Sequence, residues 1–247
     1  MESDSGEPSF IDHDTSLAMP INVLDNPVWH ALIGPHQVHA IGCGAARHYP
    51  RDVAPFSAIA EASIAAYADL AADLPVRTEA RLFRPTVEAL PDGWEELDRF
   101  ALLQMVASSA PRVPSGALSG TLSVLSTADV PAMLDLVAAT KPGPFGPRTP
   151  LLGRYLGVWH GERLVAMAGE RLRLPGHVEL SVICVHPEAR GRGYAAALTR
   201  QLMQLAFDSG EVPFLHVRPD NAAAVALYRR LGFETRRELV VLWRRPK

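Results

Sequence analysis

The sequence predicts an α/β protein in which a mixed β-sheet is flanked by helices in a C-terminal domain, with a smaller α/β domain before it. Short apolar runs alternate with helical patterns after residue 121, which is typical of this class. The run Val178–Val185 is largely apolar on both alternating faces, as expected of a central strand. A glycine-rich stretch follows it and leads into a helical pattern over 194–207. These observations predict a strand, a loop and a helix at the centre of the C-terminal domain.

The chain is predicted to divide into three parts. Residues 1–18 are polar and acidic, and we expect them to form a flexible tail. The stretch from Pro111 to Gly120 is rich in proline, glycine and serine, which marks a domain boundary. We therefore expect an N-terminal α/β domain over 19–118 and a C-terminal domain over 119–247.

The N-terminal segment shows the pattern of a small α/β layer and no catalytic motif. Apolar residues recur at helical spacing over 58–70 and predict a helix there. Short apolar runs predict strands at 36–41, 80–83 and 102–106. This order also allows a degenerate copy of the C-terminal fold.

The elements of the C-terminal domain can be assigned in order. Ser126 or Thr127 can cap a helix over 129–139. Four prolines exclude a helix or a central strand from 141–150. Apolar runs predict strands at 122–125, 155–159, 164–167, 178–185 and 213–217. Alternation along 178–185 predicts one face made of Val178, Leu180, Val182 and Cys184, and another made of Glu179, Ser181, Ile183 and Val185.

The stretch from Val185 to Ala195 is suited to binding an anion. Gly191 and Gly193 let the backbone bend tightly, and the N–H groups of the loop and of the helix N-terminus favour negative charge. Two arginines add fork-shaped donors, Arg190 and Arg192. The stretch therefore predicts a binding site for a pyrophosphate.

Two other pyrophosphate motifs fit less well. The triphosphatase loop is absent, since no Gly-Lys-Ser or Gly-Lys-Thr occurs. The dinucleotide fingerprint matches Gly191, Gly193 and Ala196, but five residues separate the strand from the first glycine. Its acidic residue would be Glu211, which falls in the turn before the next strand.

The stretch instead resembles the acetyl-CoA loop of the GNAT acetyltransferase superfamily, Arg/Gln-x-x-Gly-x-Gly/Ala, with Arg190, Gly193 and Ala195 at those positions. Residues 182–187 and 213–217 resemble the fourth and fifth strands of that family. Asn221 and then Leu227–Phe233 resemble its next helix and the turn that ends it. The resemblance covers about residues 121–247 and is greatest to the branch containing glycine N-acyltransferase-like proteins, which usually carry an additional N-terminal region.

The resemblance implies acetyl-CoA as the cosubstrate. It implies that the strand backbone pairs with the pantetheine arm and that the loop holds the pyrophosphate. The residues expected to bind the cosubstrate are Val182, Ile183, Cys184, Val185, Arg190, Gly191, Arg192, Gly193, Tyr194, Ala195 and Asn221.

Two side chains are candidates for proton transfer. Tyr228 would protonate the departing thiolate, as the resemblance implies, although it can also simply pack on the sheet. Glu179 would accept the amine proton, although it can also pair with an arginine. Cys184 is expected to be a buried hydrophobe rather than a nucleophile, and His216 to line the acceptor site or to fill the core.

Composition excludes several other functions. A formal net charge of −3 gives no electrostatic reason to expect nucleic acid. No apolar run is long enough for a membrane span, and the acidic N-terminus does not resemble a signal peptide. Cys43 and Cys184 lie too far apart for a disulfide framework or a zinc site, so no metal is expected and the predicted compartment is the cytoplasm.

We therefore expect an enzyme that moves an acetyl group from acetyl-CoA directly to a primary amine of a small molecule or a peptide. The alternative is an acyl-CoA-binding sensor or regulatory module without turnover. The identity of the acceptor, the length of the acyl chain and the formation of a homodimer are left open by the sequence.

Overall fold

The computed structural model describes residues 22–111 and 120–247. The expected tail over 1–18 and most of the expected boundary over 111–120 lie outside these residues. Five helices occur in the described chain, as α1 (Pro27–Leu32), α2 (Ile64–Asp73), α3 (Val130–Thr140), α4 (Tyr194–Asp208) and α5 (Ala222–Arg230). Ten strands occur in it, as β1 (Ala46–His48), β2 (Ser57–Ile59), β3 (Ala80–Arg84), β4 (Trp94–Ala107), β5 (Thr121–Leu125), β6 (Tyr155–His160), β7 (Arg163–Leu174), β8 (His177–Val185), β9 (Val212–Val217) and β10 (Phe233–Pro246).

Eight of these strands form one mixed sheet in the order β3-β10-β4-β9-β8-β7-β6-β5. All neighbouring pairs are antiparallel except β8 and β9, which run parallel. Strands β1 and β2 pair separately as a short antiparallel ribbon. Helices α4 and α5 cover one face with an apolar cluster, and α1 covers the other face with a second cluster. The expected mixed sheet flanked by helices is therefore confirmed.

The sheet crosses the boundary that the sequence predicted near residue 118. Strand β4 comes from the N-terminal segment, yet it lies between β9 and β10 of the C-terminal segment. Strand β3 extends the same sheet beyond β10. A separate N-terminal domain, or a degenerate copy of the fold, is therefore not confirmed, because the N-terminal strands pair within the C-terminal sheet.

Several local predictions need correction. The expected strand at 36–41 forms a 3₁₀ turn, Gln37–His39. The expected helix over 58–70 begins later, at Ile64, because Ser63 accepts the N–H of Ala66 and caps it. The long strand β10 was not predicted, since its charged residues interrupt the apolar pattern. Ser126 does cap, but it caps the 3₁₀ turn Thr127–Asp129 that leads into α3, where Ser126 and Asp129 bond reciprocally.

Candidate functional site

A cleft opens in the sheet where β8 and β9 separate. The two parallel strands pair only from His177 to Glu179 on β8 and from Val212 to Phe214 on β9. Beyond that point both strands line a cavity of about 660 Å³. The predicted binding residues Val182, Ile183, Cys184 and Val185 all line it. The separation leaves backbone groups of β8 unpaired with β9, so they are available to an extended ligand.

A β-bulge at Val182 reshapes this part of β8. Val182 has φ of 53°, which is strained for a β-branched residue. The register against β7 shifts at the same place, where Val182 and Ile183 of β8 lie opposite the single residue Ala168 of β7, so β8 carries one extra residue. Backbone strain at this position is consistent with a functional cleft rather than a regular strand.

The bulge also corrects the predicted faces of the strand. Leu180 packs under α4 together with Ile183 and Val185, whereas Val182 and Cys184 pack against α3. The expected face of Val178, Leu180, Val182 and Cys184 is therefore wrong, because the extra residue reverses the alternation after Ser181. A period of two cannot be continued through a bulge.

The glycine loop connects β8 to the N-terminus of α4. Gly191 and Gly193 have φ of 77° and 81°, and Gly193 is the N-cap of the helix. A Cβ at either glycine would meet open space, so the backbone can be approached closely here. Arg190 and Ala195 line the cavity, and Arg192 is exposed. The first-turn N–H groups of α4 have no partner within the helix, which suits an anion.

Tyr194 differs from its neighbours in the loop. Its side chain is buried, and its hydroxyl lies 2.7 Å from His160 Nε2. The side chain therefore packs into the protein, and only the backbone N–H of Tyr194 belongs to the helix N-terminus.

Helix α5 brings Tyr228 and Asn221 to the cavity wall. Asn221 caps the helix, since its Oδ1 accepts the N–H of Ala224 at 3.2 Å. Tyr228 is 8% exposed, and burial raises the pKa of its phenol to about 12. The phenol is therefore protonated at neutral pH and is able to donate a proton.

Glu179 lies behind the cavity and is fully buried. Its carboxylate accepts two hydrogen bonds from Arg171, at 2.8 and 2.5 Å, and one from His216 Nδ1 at 2.7 Å. Burial alone would raise its pKa, but the charge and hydrogen bonds of Arg171 and His216 hold the pKa at about 2. The carboxylate is thus ionised and already fully bonded.

Arg171 and His216 line the cavity in front of this carboxylate. On its other side the His216 ring accepts a hydrogen bond from Gln104, with 3.2 Å between the two Nε2 atoms. Gln104 is itself held by Leu24 and Arg236. The network fixes the His216 ring in one orientation.

Sequence reasoning missed Arg171 because it predicted that its strand would end at Met167. A signal was available at the turn Pro175-Gly176. Arg171 and Glu179 carry opposite charges at similar distances on either side of this turn, as expected for facing residues of a hairpin.

Residues before 111 also line the cavity, which the sequence did not specify. Their side chains form, together with one from β10, an apolar wall made of Phe56, Phe83, Phe100, Leu102 and Val241. We call this set the aromatic wall. It lies close to the buried network, since the rings of Phe83 and His216 are 5.1 Å apart and the Arg171 guanidinium lies 4.9 Å from the Phe56 ring.

The proline-rich loop after α3 contributes Lys141, Pro142, Gly143 and Pro144 to the cavity. Arg148, further along the loop, points elsewhere and pairs with Asp52 at 3.3 Å. The loop therefore forms part of the cavity wall, whereas Arg148 is not among the residues that line the cavity.

The side chains of Cys184 and His186, at the end of β8 and just after it, have structural explanations. Burial raises the pKa of the Cys184 thiol to about 11, which disfavours a thiolate nucleophile. His186 accepts the N–H of Glu188 at 3.4 Å and contacts Arg163, so it stabilises the turn after β8. Within 22–111 and 120–247, no cluster of potential metal ligands occurs, and no helix is long and apolar enough to cross a membrane.

A mixed sheet with a cleft between two parallel strands, followed by an arginine–glycine loop at a helix N-terminus, defines the GNAT class of acetyltransferases, and the chain belongs to this superfamily. A solved structure described as a putative GNAT-family acetyltransferase from Novosphingobium aromaticivorans is 38% identical, with a TM-score of 0.82, and the match covers 92% of this chain and 100% of that one. The family described as FR47-like protein matches residues 155–242.

Two curated relatives match the C-terminal part. N-alpha-acetyltransferase RimI of Mycobacterium tuberculosis is 43% identical over 83 residues, which are 32% of this chain and 51% of RimI. Mycothiol acetyltransferase of Geodermatophilus obscurus is 36% identical over 96 residues, which are 36% of this chain and 31% of that protein. The chain therefore spans about half of the length of RimI and about a third of the length of that mycothiol acetyltransferase. These matches do not confirm the predicted resemblance to the glycine N-acyltransferase-like branch.

Proposed function

We propose that the chain transfers an acetyl group from acetyl-CoA directly to a primary amine. The observation that carries this proposal is a single cavity lined by the arginine of the glycine loop, the open edge of β8, the phenol of Tyr228 and the aromatic wall. Such a cavity can hold a long cosubstrate and a second molecule at the same time. Relatives that acetylate N-α-amines or mycothiol, as their names say, support the same class of reaction.

The described residues fit acetyl-CoA. Arg190 and the first turn of α4 supply positive charge for the pyrophosphate. The backbone of Val182 to Val185 would bind the pantetheine arm, and Asn221 lies on the same wall. Gly191, Arg192, Gly193, Tyr194 and Ala195 would contribute backbone donors or close approach.

The reaction forms a bond between the amine nitrogen and the acetyl carbon and breaks the bond between that carbon and sulfur. The leaving thiolate must then take up a proton, because an alkyl thiol is mostly protonated at neutral pH, as the pKa of about 8.5 of a cysteine side chain illustrates. Tyr228 holds its proton at neutral pH and lines the cavity, so we assign it the role of general acid.

The amine must also lose a proton, which passes to solvent, because the geometry does not support Glu179 as the direct acceptor. Its carboxylate has a pKa of about 2 and is enclosed by Arg171 and His216. We therefore assign Glu179 to positioning these two side chains. A lysine-like amine costs about 4 kcal/mol to deprotonate at neutral pH, whereas an α-amine costs under about 1 kcal/mol. The site thus favours an acceptor whose amine is already weakly basic.

The test is transfer from labelled acetyl-CoA to a pool of amines, with free thiol as a second readout. Labelled product and stoichiometric thiol support the proposal. Tight binding of acetyl-CoA without product across α-amines, alkyl amines and peptides would favour the alternative, a sensor without turnover. The cytoplasmic location stays a prediction, and the sequence left the length of the acyl chain and the formation of a homodimer open.

A further inference from the structure

The chemistry of the cavity lining restricts the acceptor. Among the described residues, five side chains in the lining carry a positive charge and none carries a negative charge; the five are Arg81, Lys141, Arg171, Arg190 and Arg218. A cavity with this lining repels an acceptor of high positive charge, such as a polyamine. It favours an acceptor that carries negative charge in addition to its amine.

Two arginines beside the aromatic wall already have partners. Arg171 donates to both oxygens of the buried Glu179, so its charge is balanced inside the protein. Arg218 is exposed, pairs with Asp220 at 3.3 Å and lies 5.2 Å from the Phe100 ring. The positive charges of these two arginines are therefore already balanced by carboxylates of the protein.

Arg81 is different. Its guanidinium stacks on the Trp243 ring at 3.9 Å, and its nearest carboxylate partner, Glu79, is at the limit of an ion pair, 3.9 Å. Its Nε is buried without a hydrogen-bond partner among the described residues, and burial lowers the pKa of the guanidinium. A partly desolvated cation that lines a cavity and lacks a close counter-ion is suited to an anionic ligand.

The position of Arg81 on β3 sets the distance between its side chain and the cleft. On β3, Arg81 and Phe83 are two residues apart, so their side chains project from the same face. Phe83 contacts the His216 ring beside the cleft. Two residues of a strand span about 7 Å. Along β3, Arg81 therefore lies about 7 Å from Phe83, the residue that contacts the cleft. The aromatic wall, including Phe100 and Val241, lies along the same cavity.

We propose that the acceptor carries a carboxylate separated from its amine by an apolar spacer, and that Arg81 binds this carboxylate. This inference rests on the proposed function, because it places the reacting amine at the cleft. An α-amino acid is too short, since its amine and carboxylate share one carbon. Two extended residues span about 7 Å, so an apolar dipeptide with free termini has the required length. Its α-amine is also weakly basic enough to react without a strong base.

The first test needs no variant of the protein. Binding of the dipeptide Leu-Phe and of its C-terminal amide is measured by calorimetry on the full chain in the presence of CoA. The two probes have the same amine and apolar groups and differ in the terminal charge. We expect the acid to bind about tenfold or more tightly than the amide, as a charge-assisted hydrogen bond provides. Equal affinities, or no binding of either probe, would overturn the inference.

The second test assigns the effect to Arg81. Arg81→Gln should reduce the acid-to-amide ratio to near one, while Arg81→Lys should keep part of it because the charge stays but the fork is lost. The matched control is Arg99→Gln on β4, where the arginine is exposed and pairs with Glu96, and this variant should keep the full ratio. A folded Arg81→Gln variant with an unchanged ratio would refute the role of Arg81.

Thiol release with the same probes separates this inference from the proposed function. Selective binding of Leu-Phe without any thiol release from acetyl-CoA would contradict the transferase and leave the carboxylate site in place. Acetylation of several amines without preference for Leu-Phe over its amide would support the transferase and contradict the carboxylate site.

Discussion

The Tyr228 hydroxyl is the only part of that side chain that a change to phenylalanine removes. Because Tyr228 lines the cavity and its neighbours in the apolar cluster contact the ring, Tyr228→Phe should keep the fold and the affinity for CoA. We expect turnover to fall by about 10²-fold, the usual contribution of a general acid. Pre-steady-state thiol release measures the chemical step directly.

The matched control is Tyr67→Phe. That phenol lies in a different apolar cluster and bonds to Arg244 and Glu88. It should reduce stability without changing the rate of thiol release. An unchanged chemical rate in Tyr228→Phe would reduce Tyr228 to a packing residue.

Glu179 is expected to contribute to stability through its ion pair. Glu179→Gln keeps the shape of the side chain but leaves Arg171 buried without a counter-ion, so we expect a loss of about 3–5 kcal/mol in the free energy of unfolding at pH 7. The folded-state pKa of Glu179 lies below the ordinary value, so its stabilisation is present above that ordinary value and is lost as pH falls toward 2. The gap between wild type and variant should therefore shrink between about pH 4.5 and pH 2.

Urea denaturation at a series of pH values measures this gap. The control is Glu162→Gln, a change in an exposed turn residue that should leave stability unchanged. A gap that stays constant down to pH 2 would contradict a depressed pKa of Glu179.

The sequence predicted roles for Arg190, Asn221 and Tyr228, and all three line the cavity, while their binding and catalytic roles stay predictions. These residues belong to local motifs whose spacing is visible in the sequence. The environment of Glu179 could not be predicted in the same way. Its partners Arg171 and His216 come from two other strands, and only the paired sheet brings the three together.

The N-terminus of α4 is the element expected to hold the pyrophosphate. Gly193 has a left-handed backbone and open space around its Cβ position. Aspartate and asparagine both tolerate this conformation, so Gly193→Asp and Gly193→Asn differ mainly in charge. We expect the aspartate variant to bind CoA about tenfold or more weakly than the asparagine variant, because its carboxylate repels the pyrophosphate. Calorimetry of both variants checks this, and equal affinities would contradict the loop assignment.

The lengths of β4 and β7 were underestimated, and β10 was not predicted, because charged residues interrupt their apolar patterns. On β10, for example, Arg245 pairs with Glu95 of β4, so charges that suggest a loop in the sequence are cross-strand partners in the sheet. Alternation predicted β8 correctly as a central strand but failed beyond its bulge at Val182. A bulge depends on the neighbouring strand, and that information is not local.

Removal of the N-terminal segment should unfold the molecule as a whole. A chain beginning at Gly120 lacks β3 and β4, so β9 and β10 lose the strand between them and the cluster under α1 is opened to water. We expect residues 120–247 alone to aggregate or to lack cooperative thermal unfolding. Co-expression with residues 1–119 should restore a folded, CoA-binding complex. A monomeric, cooperatively folding fragment 120–247 would contradict this.

The place of β4 in the sheet also has a consequence for synthesis on the ribosome. Its two neighbours begin at Val212 and Phe233, more than 100 residues after β4 ends at Ala107. During translation the nascent chain must therefore carry an unpaired strand until nearly all of the rest has emerged, and pairing at such long range is slow. The cleft between β8 and β9 would then be assembled late, and the nascent chain would depend on chaperones to shield β4 until β9 and β10 arrive.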